Sequence, residues 1–411
     1  MEIPALTAAE HARHLLVDHP QGWTLPQPFY VDPAFFALDL EHVFASSWLF
    51  VAHTCEVPAT GDWVRIDIGN DSVIIIRGTD GEVRAFYNTC RHRGSLICLD
   101  HSGHTRRLTC TYHRWSYNVD GAFAGGRYLA DDFDGTQFGL VPVHARTVGG
   151  YVFICLADEA PAFEPFAAAA APFLAPHHLD EVKVAYRTEI VEHANWKLVM
   201  ENNRECYHCV GAHPELMYSI SEFDGPGSQD DDDEFQRVLD AKLADWDAAG
   251  FVHEQTTAGA NAWRLVRIPF TNHAVAMTAD GSPACAKTLG TITDAQRELG
   301  SVRMLHLPNT WNHVQSDHVV SFSVLPISAN ETKLVTCWLV HRDAVEGIDY
   351  DLDHLTKVWI ATNDQDRTLA ENNQLGIMTR GYRPGPYAPA IEAGTADFTN
   401  WYADRLRAAL G

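Results

Sequence analysis

Cys90 and His92 flank a single arginine, and after 17 further residues Cys110 and His113 flank Thr111-Tyr112. Each short stretch offers one thiolate and one imidazole. Two such pairs hold either a structural zinc ion or a [2Fe–2S] centre in which two histidines replace two cysteines on one iron. Zinc loops more often leave two to four residues between ligands, so the one-residue gap of the first pair favours the iron–sulfur centre. Neutral imidazoles in place of anionic thiolates raise the potential at which such a centre accepts an electron.

A second constellation lies in Glu201-Asn202-Asn203-Arg204-Glu205-Cys206-Tyr207-His208 and Ala212-His213-Pro214. Asn195 is an acceptable N-cap, and Trp196, Val199, Met200 and Asn203 lie three and four apart, which predicts a helix over 195–210. On that helix Glu201, Glu205 and His208 share one face. Carboxylates and an imidazole on a segment with apolar flanks are costly unless something pairs with them. Pro214 biases His213 out of helix and lets it turn back toward His208. Either histidine alone reads as an ordinary core residue. Two histidines with one carboxylate form the facial set of non-haem Fe(II) sites, which leaves positions open for O2 and solvent. The carboxylate must come from elsewhere, and Thr362 to Glu371 offers Asp364 and Asp366.

The elements that position these groups change character along the chain. Residues 48–155 read as all-β: Val64, Ile66 and Ile68 alternate, Val73 to Ile76 is a β-branched run, and turns fall at Gly69-Asn70, Asp80-Gly81 and Asp120-Gly121. A Pro/Ala linker is expected over Pro161 to Pro176. Strands are expected at 319–325 and 334–340, a long helix at Asp351 to Asn373, a loop at Tyr382 to Tyr387, and a last helix from about Thr395 to Leu410. The fold class expected is α+β, with a small all-β domain (48–157) inserted between residues 1–47 and 158–411 of a larger α+β domain. The acidic patch Gly225 to Glu234 reads as a solvated mobile loop.

With 54 acidic against 30 basic residues, the net charge of −24 argues against a nucleic-acid partner. No apolar run of about 20 residues spans a bilayer, and no secretory leader is evident at the N-terminus. The nine cysteines are odd in number and scattered, which predicts reduced thiols and metal ligation, hence a soluble cytoplasmic protein. Cys55, Cys98, Cys155, Cys285 and Cys337 read as structural. Gly121-Ala122-Phe123-Ala124-Gly125-Gly126 lacks a following helix and is a poor phosphate loop.

Cys90-Arg91-His92-Arg93-Gly94 with Cys110-Thr111-Tyr112-His113-Arg114-Trp115 resembles the Rieske motif of oxygenase α subunits. The resemblance makes Cys90 and Cys110 ligands of one cluster iron, and His92 and His113 ligands of the other. Respiratory Rieske proteins carry an extra disulfide-linked cysteine in each loop. Here Ser95 stands at the first position and the second loop has none, as in the oxygenase branch. In such oxygenases an aspartate is followed five residues later by Glu and then by Gln. Asp366, Glu371 and Gln374 match, so His208, His213 and Asp366 are the expected Fe(II) ligands, with Asp364 the fallback. Glu205 is expected to bridge the iron-ligating histidine to a cluster histidine of a neighbouring subunit in a head-to-tail homotrimer.

The likeness runs from Phe29-Tyr30-Val31-Asp32 to Phe398-Thr399-Asn400-Trp401-Tyr402. Three stretches are narrower: Glu201 to Cys209, Thr362 to Gln374, and Tyr382-Arg383-Pro384-Gly385-Pro386-Tyr387. They resemble the quaternary-ammonium subgroup, whose members demethylate glycine betaine or stachydrine. That implies a two-component monooxygenase using O2 and releasing formaldehyde and a tertiary amine. A separate flavin/iron–sulfur reductase would hold the flavin and take electrons from NAD(P)H, with its docking surface expected around Arg91 and Arg93. The alternative is a Rieske oxygenase hydroxylating an aromatic or other small substrate. A trimethylammonium head, with no N–H to donate, needs aromatic faces; Trp263, Trp311, Tyr218 and Tyr387 are conceivable members, though each also reads as plain core.

Overall fold

Apolar alternation between turn signals builds the small unit, which spans Ala45–Phe163. The computed structural model describes residues 6–220, 229–258 and 262–411. In the small unit, strands β1 (Leu49–His53), β2 (Asp62–Ile68), β3 (Asp71–Arg77), β4 (Val83–Tyr87), β5 (Ser102–His104), β9 (Pro142–Val148) and β10 (Tyr151–Cys155) form one seven-stranded sheet in the order β1-β10-β9-β4-β3-β2-β5. Strands β6 (Leu108–Thr109), β7 (Ser116–Tyr117) and β8 (Phe123–Gly125) form a separate three-stranded sheet. The expected hairpin turns join β2 to β3 and β3 to β4. Ile74, Ile76, Phe86, Trp115 and Tyr117 make the core beneath the two cysteine–histidine loops.

The larger unit comprises Met1–Phe44 and Glu164–Gly411, so the small one is inserted within it in sequence. Helices α1 (Ala8–Val17), α2 (Pro28–Val31) and α3 (Pro33–Asp39) precede the insertion. After it come helix α4 (Glu164–Leu174), strand β11 (Val182–Glu192), helices α5 (Trp196–Asn203), α6 (Cys209–Ala212) and α7 (Gln229–Ala249), and strands β12 (Thr256–Thr257), β13 (Trp263–Ile268), β14 (Ser301–His306), β15 (Thr310–Val314), β16 (His318–Ser328) and β17 (Glu331–His341). Helices α8 (Leu352–Ile377) and α9 (Ala393–Leu410) end the chain. The strands make one antiparallel sheet, β11-β17-β16-β15-β14-β13-β12. β15 and the first nine residues of β16 are buried throughout, which explains their near-continuous apolar and hydroxyl character: both faces are covered.

Three expectations need correction. The expected linker at Pro161 to Pro176 is largely helix α4, because its alanines favour helix and Phe166, Ala170 and Phe173 recur at helical spacing to make a buried stripe. The acidic run Asp230 to Asp233 belongs to the first turns of α7 instead of a loop; Gly225 to Ser228 lies outside the described residues. The helix expected over 195–210 stops at Asn203. There the Arg204 N–H bonds back to the Met200 and Glu201 carbonyls, and α9 closes over the end. The Thr395 hydroxyl donates to the Glu201 carbonyl at 3.4 Å. Gly394 comes so near that a Cβ there would lie 2.5 Å from the Arg204 carbonyl oxygen.

Among the described residues no helix is long and apolar enough to cross a membrane.

Candidate metal centres and the active-site cavity

The two loops of the small unit share one hydrogen-bond pattern. Cys90 N–H donates to Ser95 O and Gly94 N–H to Cys90 O; Cys110 N–H donates to Trp115 O and Arg114 N–H to Cys110 O. Both loops turn through a left-handed residue at the same place, Gly94 at φ +77° and Arg114 at φ +64°. The result puts both thiols inside and both imidazoles nearer the surface: Cys90 and Cys110 are 3 % and 1 % exposed, whereas His92 is exposed and His113 half-buried, with ring centres 4.6 Å apart. His92 stacks on Trp115. Tyr117 lies beneath, its hydroxyl 3.3 Å from Cys90 Sγ and accepting the Arg91 N–H at 3.0 Å. This donor set, two buried thiols and two surface imidazoles, fits a [2Fe–2S] centre of the mixed kind.

In the larger unit, Asn195 caps α5 by accepting the Lys197 N–H. Its own N–H donates to Gln374 on α8 at 2.8 Å, which ties the start of α5 to α8. Beyond Arg204 the chain makes a non-helical turn, and Glu205 and His208 sit on that turn rather than on a helix face. Glu201, expected beside them, points elsewhere: Tyr30 and Tyr387 donate to its two carboxylate oxygens at 2.8 and 3.1 Å. Burial pushes its carboxyl up to about 7. Cys206 and Cys209 are joined in a disulfide that closes around Tyr207 and His208, contrary to the expectation of reduced thiols throughout. The other seven cysteines are not disulfide-bonded.

Three atoms converge from these segments. Asp366 Oδ1 on α8 lies 2.9 Å from His213 Nε2 and 3.2 Å from His208 Nε2. The remaining ring nitrogens are engaged: His208 Nδ1 is 2.7 Å from Glu205 Oε1, and His213 Nδ1 is 2.7 Å from Gln365 Oε1. Glu205 and Gln365 Oε1 accept there, so each Nδ1 carries the proton and each Nε2 presents a lone pair. His213 Nε2 and Asp366 Oδ1 are buried with no hydrogen-bond partner among the described residues. Lone pairs facing one another at such distances repel unless a cation sits among them, and this arrangement fits a divalent metal. Without a cation, the Asp366 and Glu205 carboxylates outweigh burial and hold a second proton on His208 up to about 9, and a metal at Nε2 would displace that proton. Burial opposes the Asp366 anion, yet the two imidazoles hold its carboxyl below the usual value. Cys209 Sγ lies 4.0 Å from His208 Nε2, but in a disulfide it offers no thiolate. Asp364 points away, exposed and paired with Arg367 at 3.0 Å.

Sequence reasoning missed two supports of this cluster, Gln365 and Glu192, and gave Glu371 a place in the motif without a contact. Gln365, beside Asp366, holds His213 and donates its own amide to Glu215 at 3.2 Å. Glu192, buried near Asp366 and Glu371, has its carboxyl pushed up to about 8 by burial first and those anions second, so it stays neutral at pH 7. Glu371 accepts the His193 N–H at 3.0 Å. No spacing signal marks Gln365 or Glu192, because each acts through a partner far away in sequence.

The cluster opens on a cavity of about 110 Å³. Sheet register decides its walls. Arg303 pairs with His313, Leu305 with both Arg264 and Trp311, and Trp311 with Phe322, so these side chains share the face that α8 covers. Trp311 stacks on Phe322, and Trp359 of α8 stacks on His313 and meets Phe322 edge-on. Of the aromatics named from sequence only Trp311 lines this cavity. Trp263 packs on Phe166, Tyr387 is bound to Glu201, and Tyr218 is 42 % exposed.

The chain is a Rieske non-haem iron oxygenase subunit. Residues 179–408 match the family model described as the ring hydroxylating alpha subunit catalytic domain, and residues 47–133 match the Rieske [2Fe-2S] domain. Membership carries with it a Rieske cluster and a mononuclear iron, the first for passing single electrons and the second for activating O2.

Within the family, the chain is 44 % identical over 409 residues to the glycine betaine monooxygenase oxygenase subunit of Pseudomonas aeruginosa, covering 99 % of this chain and 95 % of that one. It is 45 % identical to the protein of the same name from Chromohalobacter salexigens, covering 98 % and 91 %. The carnitine monooxygenase oxygenase subunit of Escherichia coli is 36 % identical over 49 % of this chain and 54 % of its own. Among solved structures, the quaternary ammonium Rieske monooxygenase CntA with L-carnitine superposes with TM-score 0.70 at 25 % identity, covering 96 % of this chain and 98 % of that one. Naphthalene 1,2-dioxygenase from Rhodococcus, at TM-score 0.71 and 19 % identity over 97 % and 98 %, shares the fold.

Proposed function

We propose that this chain is the oxygenase component of a cytoplasmic two-component monooxygenase that removes an N-methyl group from a betaine, glycine betaine foremost. The convergence of His208 Nε2 and His213 Nε2 on Asp366 Oδ1, at 3.2 and 2.9 Å, opening on a small aromatic-walled cavity, carries this reading. The names of the full-length relatives support the substrate.

In this account Cys90 and Cys110 hold one cluster iron, His92 and His113 the other, and His208, His213 and Asp366 hold Fe(II). When bound, the cluster supplies single electrons and the ferrous ion supplies O2 activation. Glu205 and Gln365 fix the tautomer and aim of the two imidazoles. Glu205 further links His208 to a cluster histidine of the next subunit in a head-to-tail trimer, while a separate flavin/iron–sulfur reductase draws on NAD(P)H. The aromatic wall excludes water and holds one N-methyl toward the metal. The balance is one betaine, one O2, two electrons and two protons in; one tertiary amine, one formaldehyde and one water out.

The test is formaldehyde release by the holoenzyme with a surrogate reductase on glycine betaine, stachydrine, carnitine and benzoate. The account predicts formaldehyde from a betaine and no hydroxylated benzoate. Hydroxylation of the aromatic acid without formaldehyde from any betaine would replace it with the ring-hydroxylating alternative.

A further inference from the structure

The face of the large sheet turned away from the iron buries a cation that nothing neutralises. Arg264 lines the iron cavity, and Arg267, three residues on along β13, stands on the opposite face. Its partner there is Val302 of β14, which in turn pairs with Val314 of β15. Helix α4 covers this face, with Phe166 packed on Trp263 and His306. Arg267 is 1 % exposed.

The turn after α7 grips the inner part of this side chain. The guanidinium carbon lies 5.1 Å from the centre of the Phe251 ring, and Nε donates to the Val252 carbonyl at 3.2 Å. The Arg267 backbone N–H donates to the His253 carbonyl, also at 3.2 Å. Beyond Nε the contacts stop. Both terminal nitrogens are buried with no acceptor among the described residues. Burial draws the guanidinium down to about 10, so it keeps its charge at pH 7, and no carboxylate offsets that burial.

His177 shares this environment. It ends the short turn Ala175–His177 that follows α4 and is fully buried. The Gln315 carbonyl faces the ring, yet neither ring nitrogen makes a hydrogen bond of ordinary geometry. Burial first, and the Arg267 charge second, draw its pKa down to about 3, so the ring is neutral and lies within the field of the guanidinium. A buried cation left with one carbonyl and one aromatic ring is costly. Water can accept its hydrogens without cancelling the charge. A small anion does both, and a neutral imidazole has one N–H to give it.

We propose that the terminal nitrogens of Arg267, with His177 beside them, hold one small monovalent anion of the chloride class on the face of the sheet away from the iron. One guanidinium balances one negative charge, and the sheet neighbours Val302 and Val314 are apolar, which disfavours a larger or more highly charged ion. The bound ion ties α4, the turn after α7 and β13 together, and it takes no part in the oxygenase reaction.

The test is urea denaturation of the intact holoenzyme as chloride replaces gluconate at constant ionic strength, which holds fixed the general screening of a chain of net charge −24. Once chloride exceeds its Kd, each tenfold rise in chloride raises the folding constant about 10-fold. Arg267→Gln loses that dependence. Should the variant fail to fold, judged by circular dichroism, crystals of the intact protein grown in bromide decide the matter: anomalous scattering places one bromide against the two terminal nitrogens of Arg267. Stability indifferent to chloride in the intact protein, an equal chloride dependence in folded Arg267→Gln, or ordered water in place of bromide beside Arg267 overturns the assignment.

Discussion

Gln365 Oε1 lies 2.7 Å from His213 Nδ1, and the next residue, Asp366, meets the other nitrogen of the same ring at 2.9 Å. Consecutive residues of α8 therefore grip both edges of one imidazole. Replacing Gln365 with Leu frees the ring to rotate and to change tautomer. Such partners of metal-bound histidines are worth about 10- to 100-fold in metal affinity. The Gln365→Leu protein is expected to lose its mononuclear iron that much more readily to a chelator, with cluster absorbance unchanged.

Glu205 accepts from His208 Nδ1 on one oxygen and from the Tyr207 N–H on the other. If it also links the two metal centres of neighbouring subunits, Glu205→Ala keeps both metals and still makes product once from pre-reduced protein, but fails to cycle. Stopped single-turnover and steady-state assays on one preparation separate these. Normal steady-state turnover would remove the linking role.

Lys197 and Asp39 form a fully buried ion pair, and Trp196 Nε1 and the Tyr402 hydroxyl also donate to Asp39, at 2.9 and 2.6 Å. Asp39→Ala strands a buried ammonium. Breaking such a pair from one side costs about 3–5 kcal/mol, which urea denaturation should register as a large fall in midpoint.

Much of the chemistry is legible in the sequence, because metal sites demand particular residue types at short spacing. Cys90, His92, Cys110 and His113 stand out for that reason, as do His208 and His213. The helix that was expected to carry Glu205 and His208 was not readable as broken. Its termination depends on Gly394 and Thr395 of α9 closing over Arg204 and Glu201, a contact nearly 200 residues away in sequence. Cavity walls were equally hidden, since strand register decides that Arg303 and His313 share a face, and register is a tertiary property. The acidic and Pro/Ala stretches misled through composition, where helix propensity and an apolar stripe prevailed.

Three buried histidines make folding sensitive to acid. His53, His177 and His306 are fully buried, and desolvation draws their pKa values down to about 3, 3 and 4. In the unfolded chain each takes a proton below about 6.5. Their stabilising contribution is complete above pH 6.5 and is lost as pH falls toward 4, by up to about 1.4 kcal/mol per pH unit for each histidine. Between pH 6.5 and 4 the denaturation midpoint of the intact protein should therefore fall more steeply than that of a variant carrying a neutral isostere of His177, a comparison in which the opposite contribution of the raised Glu192 and Glu201 carboxyls cancels.

Iron content of the Asp366→Ala protein tests the central claim most directly. The intact protein, fully loaded, should contain about three irons per chain, two in the cluster and one mononuclear. The variant should retain about two with the cluster spectrum intact. Three irons in the Asp366→Ala protein, or zinc in place of iron in the intact one, would contradict the assignment of His208, His213 and Asp366 as the iron ligands.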